Sequence, residues 1–109
     1  MVRRNHTRSV SAKLREGHAA LKKSHAEITD DAAQIKALLG KDSDDSALNG
    51  LQGKLKTALA KEQLRIIKST PKSDRTTILE RLHEELLRKQ REFADEIDRL
   101  EELYTALKT

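Results

Sequence analysis

The chain has no cysteine and no tryptophan, one proline, four glycines, one phenylalanine (Phe93) and one tyrosine (Tyr104) in 109 residues. Each shortage excludes something. Without cysteine there is no disulfide, no thiolate nucleophile and no thiolate metal site. With two aromatic rings in the whole chain, a core has to be built from leucine, isoleucine and alanine. Scarce proline and glycine leave few turn points, so regular elements run long. No stretch approaches the ~18 apolar residues of a membrane span. The basic N-terminus, Met1 to Lys13, lacks the apolar segment of a secretory signal. A cytoplasmic or nuclear location is the expectation that follows.

What the chain does have is charge and leucine. Charged residues make up 37%, against ~25% in an ordinary domain. The apolar residues between them are periodic, which sets the chain apart from a disordered one. Leu14, Leu21, Ile28 and Ile35 recur at sevens, flanked by a second row of His18, His25, Ala32 and Leu39. Leu79, Leu86, Phe93, Leu100 and Leu107 repeat the pattern, with Leu82, Ile97, Leu103 and Tyr104 beside them. Leu48, Leu51, Leu55, Leu59 and Ile66 form a shorter stripe, widened by Leu64 and Ile67. Seven-residue repeats describe helices that supercoil around partner helices.

Two breaks separate these stripes. In the first, 40–46, Gly40 suits a left-handed position after a helix, and Ser43, Asp44 or Asp45 can cap the next one. In the second, 69–74, Pro71 stops a helix and Ser73 can start another. Gly50 and Gly53 weaken the start of the middle helix by ~1 kcal/mol each relative to alanine. The expected fold is all-α, an elongated antiparallel three-helix bundle or coiled coil. Its helices cover about 9–39, 47–69 and 74–107, after a basic arm over 1–8.

Net charge is +4, and it is blocked along the chain. Met1 to His25 carries seven basic residues and one acid, and Ala26 to Gly50 six acids and two bases. Leu51 to Arg75 carries seven bases and two acids, and the remainder nine acids and six bases. An up-down-up bundle would bring the start of helix 1, the end of helix 2 and the start of helix 3 together. That gathers a basic pole of Arg3, Arg4, Arg8, Lys13, Arg15, Lys61, Arg65, Lys68, Lys72 and Arg75. Such a pole could contact nucleic-acid phosphates or an anionic surface. No aromatics interleave with the bases, which speaks against stacking on single strands.

No chemistry is legible. His18 and His25 lie two helical turns apart, ~10 Å, too far to chelate a metal jointly. His83, Glu80 and Glu84 are the groups that could join them from the last helix. There is no phosphate-binding glycine loop, and a rod-shaped bundle offers no deep pocket in which to assemble a catalytic group. No catalytic, cofactor or metal residue is assigned, and the chain is not expected to be an enzyme. Apolar residues off the main stripes, Leu64, Ile67, Ile78 and Leu87, are the candidates for a partner-facing surface.

The run Lys13-Leu14-Arg15-Glu16-Gly17-His18-Ala19-Ala20-Leu21-Lys22-Lys23 resembles the opening helix of Rho-effector (REM-type) repeats, which favour a Lys-Leu/Ile-Lys/Arg-x-Gly-x-x-x-Leu string. A second stretch, from Leu51 through the heptads ending at Leu103, has a similar hairpin shape. The resemblance implies an antiparallel helical hairpin that binds Rho-type GTPases. The expected function is therefore a non-catalytic interaction or assembly module, an adaptor or scaffold. Its partner would be another protein on a helix face, with a homodimer as one form. Nucleic-acid or anionic-surface binding, and GTPase binding, are the alternatives.

Overall fold

The computed structural model describes the backbone of residues 2–108 and the side chains of residues 12–107. Four α-helices and no strands occur among the described residues: α1 (Val2–Leu39), α2 (Asp45–Gln52), α3 (Ala58–Lys68) and α4 (Lys72–Lys108). The all-α expectation holds, but the helices number four rather than three. The backbone of α1 is helical from Val2, inside the segment expected to be an arm.

The extra break falls within the expected middle helix. α2 ends at Gly53, whose N–H donates to the Leu51 carbonyl. Leu55 then lies outside any helix, yet its side chain is buried in the core. Thr57 takes an extended backbone (φ −86°, ψ 148°) and caps α3, its side chain accepting from Ala60 N. The decisive residue is on α1. The Asp31 carboxylate is fully buried and accepts from Lys56 N (2.9 Å), Thr57 N (2.8 Å) and Thr57 Oγ1 (2.6 Å). The first N–H groups of a helix have no partner within it, and a carboxylate there answers both the missing bonds and the positive end of the dipole. The chain breaks at 53–57 because a distant acid binds the broken form.

That break reverses the chain once more than expected. α1 runs up, α2 down, α3 up and α4 down. In an up-down-up bundle the first and last long helices would be parallel, whereas here they are antiparallel. Arg15 meets Tyr104, His18 meets Glu101 and Thr29 meets Gln90.

The other turns are set by side chains as well. Asp44 caps α2 by accepting from Ala47 N at 2.8 Å. No described glycine has positive φ, so Gly40 does not take the left-handed conformation expected of it. α4 begins at Lys72 directly after Pro71, ahead of the expected start at Asp74 behind Ser73. Arg75, 6% exposed, donates to the carbonyls of Ser43 (2.9 Å), Thr70 (3.0 Å) and Lys68 (3.2 Å) and pairs with Asp45 at 2.8 Å. One guanidinium thus ties together the turns on either side of α2 and α3.

The molecule is a rod, with extents of 64 × 19 × 16 Å. It has a head and a stalk. Ile28, Ala32, Ile35 and Leu38 of α1, Leu48 and Leu51 of α2, Ala60, Leu64 and Ile67 of α3, and Leu79, Leu82 and Leu86 of α4 form the head core with Leu55. Fully burying one such leucine or isoleucine contributes ~1.5–3 kcal/mol. Among the described residues none is buried outside 28–86. Beyond the head only α1 and α4 continue, side by side. The heptad rows persist there, but Leu14, Leu21, Phe93 and Leu100 are half-buried, and Leu107 at the end of the row is 57% exposed.

Candidate functional site

The basic pole does not assemble. Arg15 lies at the stalk tip against Tyr104, its Nη2 3.0 Å from the phenol oxygen and its guanidinium over the ring. Lys72 begins α4 at the head and bonds Asp42 at 2.9 Å. Tyr104 and Lys72 are separated by ~48 Å of helix. Arg75 is the buried tie already described, and its charge is spent on carbonyls and Asp45. Lys68 bonds the Gln52 side chain, Arg65 pairs with Glu62 at 2.5 Å, and Lys61 and Lys13 are exposed. The side chains of Arg3, Arg4 and Arg8 lie outside the described residues. The physical reason is the additional reversal at 53–57, which sends the start of α4 to the far end of α1. There it meets the acids at 42–45, and late α4, dense in acids, meets the basic start of α1.

The expected partner-facing residues are also placed elsewhere. Leu64 and Ile67 are fully buried, and Ile78 and Leu87 pack against the core. Ile66, expected in the stripe, is 43% exposed instead. A new helix starting at Ala58 resets the phase, so α3 buries Ala60, Leu64 and Ile67 at helical spacing. Among the described residues, the exposed large apolar ones of the stalk are Leu103 (56%) and Leu107. Heptad reading placed both in a seam; what it missed is that the seam runs past the helices that would cover it.

The stalk has two different flanks. On α1, Asp31 and Leu38 face α2 and α3; they lie three residues beyond the row Leu14–Leu21–Ile28–Ile35. Arg15, Lys22 and Thr29 lie one residue beyond it. At ~100° per residue these offsets fall on opposite sides of the row. On α4, Ile78 and Leu82 lie toward α3, and Glu101 and Thr105 fall on the other side of the Leu79–Leu86–Phe93–Leu100 row by the same count.

A groove of about 470 Å³ opens on the side away from α2 and α3, lined by Leu14, Arg15, His18, Leu100, Glu101, Tyr104 and Thr105. Its floor is leucine, one rim is basic and the other acidic. His18 Nε2 and Glu101 Oε1 cross the seam at 2.9 Å. Gly17 faces Leu100 across the seam, where a β-carbon would make ordinary contact at 3.8 Å.

The Arg65 guanidinium holds the Glu62 carboxyl below its usual range by hydrogen bonding and charge, and Glu62 raises Arg65 in return. Glu85 raises Arg88 in the same way. Each pair sits three apart on one helix face, and Glu85 and Arg88 line a shallow surface groove on α4. Among the described residues no three histidine or acidic side chains gather as a metal would require. His83 is ~27 Å along α4 from the Glu101 that meets His18. No described helix is long and apolar enough to cross a membrane.

Together these features define an all-helical protein with a closed four-helix head and an open two-helix stalk. No family model matches the chain, and neither a curated protein nor a solved structure matches it.

Proposed function

We propose that the chain is a non-catalytic helical interaction module in which the head is the self-sufficient fold and the stalk is the docking element. The stalk helices act as an antiparallel coiled-coil pair. One observation carries this reading: the heptad rows leave the head unbroken, and the helices that would bury them stop. Leucines repeated at sevens on a helix pair are half a core. The polar faces of the head, by contrast, enclose leucine and isoleucine that are already fully covered.

A photo-crosslinking residue placed at Ala19, on the groove side of the stalk, tests it in cells. It is expected to capture a protein partner, and the same residue at Lys61 on the head is expected to capture none. Equal capture at the two places, or none at either, would sink the reading. A phosphate-binding alternative would have to rest on the basic residues of α1, because Lys72 and Arg75 lie at the other end of the rod. A Rho-type GTPase stays as the second partner class, because an antiparallel helix pair is the shape that the sequence resemblance implies.

A further inference from the structure

We propose that the groove side of the stalk docks a second copy of this chain, with a two-fold axis running along the stalk and both heads at the same end. The proposal rests on the reading of the stalk as a docking element and names its partner.

The charges select the partner. Toward this side α1 carries Arg15 and Lys22, and α4 carries Asp98 and Glu101, with Glu16, Lys23 and Glu102 on the outer shoulders. Among the described residues, Lys22, Lys23, Asp98 and Glu102 form no side-chain ion pair. One stalk therefore offers a basic edge and an acidic edge on either side of an apolar floor. That surface is complementary to itself when turned half a revolution about its long axis.

The symmetry follows from the same charges. Two helix pairs can meet face to face in two ways. A two-fold axis across the stalk sets α1 against α1 and α4 against α4, base on base and acid on acid. An axis along the stalk sets each α1 against the other copy's α4. Pairing within the chain fixes the heights: Arg15 is level with Tyr104 and Thr29 with Gln90. Lys22 therefore stands level with Ile97, next to Asp98, and under the along-stalk axis it meets Asp98 of the second copy. Neighbouring helices then alternate in direction as in an antiparallel four-helix bundle.

Because α2 and α3 lie on the other flank, two heads at one end stay on the outside of the assembly. The same heights set the end of α4 level with Ser11, so the two helices run side by side over 11–27, ~25 Å long and ~20 Å wide. One face offers on the order of 500 Å², which is the size of a weak, concentration-dependent interface.

Light scattering and sedimentation equilibrium on the full chain over a wide concentration range give the first reading. A species of twice 12.3 kDa is expected. Two charge-reversed chains give the second: K22E with K23E, and D98K with E102K. All four positions are exposed, and circular dichroism checks that each variant keeps its helices. Each variant alone is expected to dimerise at least about tenfold more weakly, because like charges then face each other. Mixing the two is expected to restore a mixed dimer. A wild-type chain that is monomeric at every concentration overturns the second-copy assignment, as do variants that dimerise as well as wild type or fail to recover on mixing. If the purified chain is a monomer while Ala19 still captures a foreign protein in cells, the second copy is wrong and the docking stalk survives. If Ala19 captures nothing and the chain is a monomer, both fall.

Discussion

Head and stalk are built from the same two heptad rows, yet they differ in what each leucine is worth. In the head, Ile35 and Leu86 belong to rows that also meet Leu48, Leu64 and Ile67, and all five are sealed from water. In the stalk, Leu21 and Leu100 belong to the same rows and meet only each other's helix. A repeat of seven states which side of a helix is apolar. It does not state how many helices will cover that side, and coverage sets the energy.

The sharpest way to break this comparison is to truncate one residue from each region. Leu86→Ala or Ile67→Ala should cost ~2–5 kcal/mol, since each leaves a hole in a closed core. Leu21→Ala should cost ~1 kcal/mol or less, because water already reaches it. Urea unfolding of a sample dilute enough to be monomeric reads both. Equal costs would mean that the stalk is as closed as the head.

Next in size is the Asp31 contact. Asp31→Ala leaves the N–H groups of Lys56 and Thr57 and the Thr57 hydroxyl without their acceptor. An unsatisfied buried group costs ~1–3 kcal/mol, and a lost helix cap ~1 kcal/mol. A loss of ~2–3 kcal/mol is expected by the same unfolding measurement. Hydrogen exchange should quicken first at 56–60. A loss under ~0.5 kcal/mol would show that 53–57 holds its shape without the acid.

Gly53→Ala tests the opposite origin of the break. Gly53 has φ −76° and ψ −12°, ordinary for any residue, and a β-carbon there would meet nothing within 4 Å. Alanine should stabilise by ~0.4–1 kcal/mol through the unfolded chain, with helix content unchanged. A gain of helix by circular dichroism would mean that glycine, and not Asp31, keeps α2 and α3 apart.

The smallest effect belongs to the stalk surface. Glu101→Gln removes an exposed pair with His18 and should change stability by ~0–1 kcal/mol. A larger loss would mark the stalk tip as more enclosed than its accessibility suggests.

The sequence made the helical class, the breaks near 40–46 and 69–74, and the heptad rows of α1 and α4 legible, because periodicity and proline are local signals. The break at 53–57 was not legible. Gly50 and Gly53 marked a weak point, but only a carboxylate 25 residues earlier turned it into a reversal. Thr57 ahead of Ala58 was the available hint, a capping residue before an apolar run. Missing that single reversal inverted the direction of α4. It also moved Lys72 and Arg75 to the wrong end and placed Leu64 and Ile67 on the surface. The charge blocks themselves were legible; how they meet depended on the number of turns.

The antiparallel return of α4 also has a consequence in time. Arg15 and Tyr104 are 89 residues apart in sequence, and meeting directly from the unfolded chain would mean closing that whole loop. Once the head has formed, Thr29 already stands beside Gln90, and each further stalk contact closes only a few more residues. The molecule should therefore fasten from the head outward and come undone from the tip inward. Substitutions at Leu14 or Leu100 should then speed unfolding and leave the folding rate alone, whereas those at Ile35 or Leu79 should slow folding itself. A chevron plot for each would read the order in which the rod closes.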